Sequence, residues 1–136
     1  MCTIKTNHSC IYRIIITLFT LLLLSSIEAM AKEPVIGKYL SSSGNTIRLQ
    51  LSVSSPAPQN LILQQHLPPG TRVLSTSPKA IKISQNNGVV KWLFKGVSPG
   101  KIEVVMKIQP PAAGSVRGSI RYRMADGTMH EKPVGR

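Results

Sequence analysis

Seven basic residues are the ones in this 136-residue sequence whose placement could do chemistry. Arg117, Arg121 and Arg123 recur at intervals of four and two, so in an extended segment all three project from one side. Lys91 and Lys95, then Lys101 and Lys107, hold outward positions on the two preceding segments. A guanidinium presents a planar fork of donors that meets phosphate, sulfate or carboxylate oxygens two at a time. If the arginine strand lies beside a neighbour carrying those lysines, the seven residues form one continuous cationic wall. Its chemistry would be capture of an anionic ligand rather than turnover. The plainer reading is that Lys and Arg keep exposed strands from pairing edge to edge.

Other chemistry has fewer candidates. Met124, Met129 and His130 are of the types that suit copper(I) in an exported metal carrier. A two-residue turn at Asp126-Gly127 would set Met124 opposite Met129 and Arg123 opposite His130. Both methionines then face the core and His130 faces away, so no metal site is expected. His66 reads as an exposed residue at a strand end. Gly114-Ser115-Val116-Arg117-Gly118 carries its serine one place too early for a nucleophile elbow. Of the acids beyond residue 31, Asp126 belongs to a turn, Glu33 to an arm and Glu103 to a lysine-bearing solvent face. His130 and Glu131 are adjacent and point to opposite faces. No carboxylate pair is positioned for glycosidase work, and no glycine loop is shaped to cradle phosphate. The sequence is expected to be no enzyme and to need no cofactor.

The segments that position these residues begin after an export signal. Lys5 and Arg13 form a basic n-region, Ile14–Leu24 an apolar h-region, and Ala29-Met30-Ala31 a cleavage site. The uncharged run Ile14–Ile27 is shorter than the roughly 20 residues that span a bilayer, so 1–31 is expected to be a cleaved signal peptide. Both cysteines, Cys2 and Cys10, fall within it. Removing 31 of 136 residues leaves 105, one domain's worth of chain that must hold by packing without disulfides. The 17 Lys and Arg outnumber the 5 Asp and Glu; with Lys5, Arg13 and Glu28 removed the net charge is +11. Such a chain is drawn to polyanions. In a periplasmic, secreted or cell-surface setting those would be lipid headgroups, lipopolysaccharide or teichoic acid, acidic polysaccharide, or released DNA.

Pro-Gly, Asn-Gly and Asp-Gly pairs punctuate the rest, and the intervals between them alternate apolar with polar. Ile47, Leu49, Leu51 and Val53 form one apolar row; Ile102, Val104, Met106 and Ile108 another; Ile120, Tyr122 and Met124 a third. The pattern predicts strands near 46–53, 60–66, 71–75, 79–85, 89–95, 101–109, 116–124 and 128–133. Residues 32–44 read as a flexible arm or short edge strand, and 45–136 as the domain. A two-residue loop at Asn87-Gly88 would place Ile83 opposite Trp92 and Ile81 opposite Phe94, which predicts a buried Trp92. About eight short strands predict an all-β, immunoglobulin-like sandwich of two antiparallel sheets.

The order of these signals resembles the immunoglobulin-like conserved repeat of bacterial surface proteins, the "domain of unknown function eleven" class. The matching residues are the strand Thr46–Val53, Leu67-Pro68-Pro69-Gly70, Val90-Lys91-Trp92, and Val97-Ser98-Pro99-Gly100 before the long strand 101–109. The resemblance covers residues 45–124. It implies a structural or adhesive module and supplies no catalytic residues. The chain departs from the pattern after its first strand, at Ser54-Ser55-Pro56-Ala57-Pro58, and by having one copy. The expectation is a non-catalytic exported module for cell-envelope or surface interactions, with an envelope protein or anionic polymer as partner. The alternatives are a binder of anionic polymer or membrane surface through the basic face, with peripheral membrane contact, and a small periplasmic metal carrier. Six aromatics, with Trp92 and Phe94 committed to the core, leave no stacking platform for nucleic acid.

Overall fold

Alternation at period two dictates the architecture. Along Ser43–Val53, Ile47, Leu49, Leu51 and Val53 are buried while Arg48 between them is exposed. The computed structural model describes residues 32–113 and 116–135, and the expected signal peptide, 1–31, lies outside them. Among the described residues nine strands follow in order: β1 Val35–Ser41, β2 Ser43–Val53, β3 Asn60–His66, β4 Arg72–Ser77, β5 Lys82–Ser84, β6 Val89–Lys95, β7 Gly100–Ala113, β8 Arg117–Arg123 and β9 Met129–Pro133. Four form one antiparallel sheet, β1-β2-β7-β4, and five form the other, β5-β6-β3-β8-β9.

The inward rows of both sheets make one core. Leu49, Leu51, Met106 and Ile108 come from the four-stranded sheet; Leu61, Leu63, Trp92, Ile120 and Tyr122 come from the five-stranded one. Each such side chain contributes about 1.5–3 kcal/mol by leaving water. Residues 35–41, within the segment read as a flexible arm or short edge strand, are the edge strand β1, held because Val35 and Tyr39 enter this core.

Both hairpin registers differ from the sequence expectation. Trp92 is buried as predicted, but Ile83 pairs with Val90 rather than with Trp92. The loop before β6 spans four residues, 85–88, so the strands slip by two: Ile83 keeps its side but is 42% exposed, and Ile81, expected opposite Phe94, precedes β5 and lies 61% exposed against Lys91 and Leu93. Trp92 instead sits beside Leu63 of β3, and its indole N–H donates to the Pro78 carbonyl at 2.9 Å. At Asp126-Gly127 the loop has three residues: Met124 N–H donates to the Thr128 carbonyl, and Gly127 takes a left-handed φ of 89°. A slip of one residue exchanges faces. Arg123 therefore pairs with Met129, and Tyr122 with His130, whose ring stacks on it at 5.1 Å. Met129 is 55% exposed rather than in the core.

Each side of the sandwich is closed. After β9 the chain crosses to β1, where Tyr39 N–H donates to the Gly135 carbonyl and Gly135 N–H to the Gly37 carbonyl. On the other side the Gln85 side-chain amide grips Val73 of β4, accepting from its N–H at 3.1 Å and donating to its carbonyl at 3.3 Å.

Candidate functional site

The outer face of the five-stranded sheet can be written as four rows across its strands. One row runs Lys95, Asn60, Arg123, Met129, and the next Leu93, Ile62, Arg121, Glu131. The third runs Lys82, Lys91, Gln64, Ser119, Pro133, and the fourth Ser84, Val89, His66, Arg117. The three arginines do share one face, and Lys91 and Lys95 share it with them across β3.

Lys101 and Lys107 do not belong to this wall. They lie on β7, Lys101 beside Ser52 and Lys107 between Thr46 and Ser75, on the outer face of the opposite sheet. The chain changes sheets between β7 and β8, and β8 pairs with β3 and β9 instead. The expected seven-residue wall therefore divides five and two. Lys82, which the sequence reading left out, joins the five because it pairs directly with Lys91.

Electrostatics on this face are unbalanced. Among the described residues three ion pairs form: Arg48 with Glu103, Arg121 with Glu131, and Lys132 with Glu33. The Arg121–Glu131 contact is 2.9 Å between side chains each 54% exposed, where such a pair contributes little. Asp126 is occupied by its turn, accepting from the Thr128 hydroxyl at 2.6 Å and the Thr128 N–H at 2.9 Å. The hydroxyl bond, then the backbone bond, hold its carboxyl below the usual carboxylate range. Every described acid is thus engaged, while Lys82, Lys91, Lys95, Arg117 and Arg123 have no carboxylate partner among the described residues. Lys82 directly opposite Lys91 is a like-charge pair, which destabilises a sheet.

An apolar floor runs between these cations. Ile62 and Leu93 are cross-strand partners, both half-buried although they face outward. Two shallow hollows meet over them. One, about 130 Å³, is lined by Ile62, Leu93, Ile81, Gln64, Lys91, Ser119 and Arg121. The other, about 260 Å³, extends past Arg121 and Arg123 to Met129. Sequence reasoning missed this floor, although a signal for it exists. Leu61-Ile62-Leu63 and Trp92-Leu93-Phe94 are unbroken apolar runs inside alternating strands, which puts an apolar residue on the solvent face.

The residues weighed for metal and acid-base chemistry do not converge. Met129 projects from the outer face, whereas Met124 packs partly against the core and His130 lies on Tyr122. No three His, Cys, Asp or Glu side chains gather among the described residues.

No family model matches the chain, and no solved structure matches it significantly. The chain is similar to an uncharacterized protein of Archaeoglobus fulgidus, with 26% identity over 103 residues, 72% of this chain. It spans 61% of that relative's length.

Proposed function

We propose that the protein is a non-catalytic, exported, immunoglobulin-like module that holds an anionic component of the cell envelope against the outer face of its five-stranded sheet. The observation that carries this reading is the set of uncompensated cations on that face, including Lys82 set against Lys91 at a cost to the sheet. Export is supported by the signal-like residues 1–31. The immunoglobulin-like assignment is supported by strand order. β1-β2-β7-β4 follows the A-B-E-D order of that fold, and β3-β8-β9 follows C-F-G. The pair β5 and β6 adds to the free side of β3, where variable-type domains carry two extra strands. Here that pair is inserted after the D-like strand instead of before it. The resemblance of residues 45–124 to the surface-protein repeat points to the same class of protein.

The test compares two triple variants that remove equal charge from opposite faces. Lys91, Lys95 and Arg123 changed to Gln disarm the five-stranded sheet; Lys38, Lys101 and Lys107 changed to Gln disarm the other. Binding to a heparin column and to anionic vesicles should weaken in the first variant, remain near wild type in the second, and fall steeply with salt, since screening acts beyond about 8 Å at physiological ionic strength. Equal losses in both variants would show that net charge alone does the binding.

A further inference from the structure

We propose that the ligand of this face is a single-chain anionic amphiphile, its headgroup held by the cations and its hydrocarbon chain lying in the Ile62–Leu93 furrow. The inference rests on the preceding reading and narrows its ligand from any polyanion to an amphiphile.

Charge alone does not account for the middle of the face. A sheet built only to attract a polyanion would carry polar residues in its central row, since outward positions of an antiparallel sheet are normally solvated. Here Leu93 and Ile62 occupy it, Ile62 on β3, the middle strand of the five, and Leu93 on its neighbour β6. The short side chain of Ser119, paired with Gln64 in the adjoining row, leaves the floor low there. Two further apolar side chains mark the ends of the trough: Ile81, 61% exposed beside β6, and Met129, 55% exposed on β9. Ile81 is fixed there because its N–H donates to the Lys91 carbonyl at 2.9 Å. Four strand spacings separate these ends, about 19 Å. That is a groove for an extended chain, running across the strands.

The cations stand along the same trough. Lys91 and Arg121 line the smaller hollow, and Lys95, Arg121 and Arg123 the larger. A headgroup over the larger hollow meets a lysine and two arginines, while the chain extends over Leu93 and Ile62 toward Ile81. Arg121 is held by Glu131 alone on this face, an exposed pair that a phosphate or sulfate group can displace. Because the floor is concave and the long cationic side chains rise around it, the face suits a chain lowered into it. A bilayer would instead require apolar side chains that protrude between the cations.

The experiment titrates the full mature protein with dodecyl phosphate below its micellar concentration, butyl phosphate, dodecyl maltoside and heparin. Dodecyl phosphate should bind at least about tenfold more tightly than butyl phosphate, because burying even two methylenes changes affinity by about that factor. The uncharged maltoside should bind weakly. The double variant Ile62→Thr with Leu93→Gln should erase the chain-length advantage and leave heparin binding unchanged. Met129→Gln, at a position 55% exposed and outside the buried core, should reduce the advantage, which guards against misfolding of the double variant. Equal affinity for butyl and dodecyl phosphate, with heparin still bound, overturns the amphiphile and leaves the anion-binding function standing. Maltoside binding equal to that of dodecyl phosphate, or retention of the advantage in both variants, also overturns it. Capture of anionic vesicles without any binding of the monomeric amphiphile would assign the face to a membrane surface instead. Failure of every anion to bind removes both readings together.

Discussion

Replacing Gly118 with alanine should destabilise the domain by about 2–5 kcal/mol, although the residue lies in a strand where alanine is ordinarily favoured by about 0.5–1 kcal/mol. Gly118 is on β8 directly opposite Gln65. A methyl group there would stand 2.8 Å from Gln65 Nε2, 2.8 Å from the Tyr39 hydroxyl and 2.9 Å from Val134 Cγ2. Gln65 and Tyr39 are both buried, and the tyrosine hydroxyl donates to Gln65 Oε1 at 2.6 Å. Neither can withdraw without breaking that bond. Forcing a methyl into a filled core costs about 1–3 kcal/mol, and leaving a buried polar group without its partner costs about 1–3 kcal/mol more. Urea unfolding of the wild type, Gly118→Ala, Tyr39→Phe and the double variant measures the effect. With the hydroxyl already gone, the alanine should cost less, with a coupling of about 0.5–3 kcal/mol. A cost under about 0.5 kcal/mol, or strict additivity with Tyr39→Phe, would refute the packing described for this corner of the core.

Three further outcomes are expected. Trp92→Ala should lower stability by about 3–5 kcal/mol, the range for removing a large core aromatic, and the folded wild type should show the blue-shifted fluorescence of a buried indole. Gln85→Ala leaves both backbone groups of Val73 without their partner; a loss of about 1–3 kcal/mol in denaturant unfolding, with faster hydrogen exchange at Val73, is the expected result. The depressed pKa of Asp126 stabilises the β8–β9 turn above the unfolded carboxylate value of about 3.9, and that stabilisation disappears as pH falls through the lower folded value. Urea midpoints measured from neutral to acid pH should therefore fall less in Asp126→Asn than in the wild type across that window.

The strands themselves were legible because alternation reports burial directly: the row Ile47, Leu49, Leu51, Val53 is buried at each position. Loop length was not legible. Asn87-Gly88 and Asp126-Gly127 both suit a two-residue turn, yet neither hairpin is closed by one. At the first, Gly88 N–H bonds back to the Gln85 carbonyl while Gln85 is drawn to Val73, a partner 12 residues away that local turn chemistry cannot reveal. At the second, the extra residue carries Met129 from the expected core to the outer face. Of the candidate site, the common side of Arg117, Arg121 and Arg123 followed from parity alone. Which lysines join them depended on where the chain changes sheets; Pro110, Pro111 and Gly114 mark a break after 109 without saying which sheet the next strand enters. Ile62 and Leu93 were passed over because an apolar residue in a strand is ordinarily assigned to the core.

The short pairing between β1 and the segment around Gly135 has a mechanical meaning. The two run parallel, bridged at Lys38 and Gly135. Tension that draws the chain before Val35 and the chain after Gly135 in opposite directions therefore acts along both segments. It pulls sideways on the bonds from Gly135 N–H to the Gly37 carbonyl and from Tyr39 N–H to the Gly135 carbonyl. Bonds loaded in this direction share the force and must yield together. A hairpin peeled from its open end gives up its bonds one at a time. The join between β1 and Gly135 thus yields only when both bonds give way together.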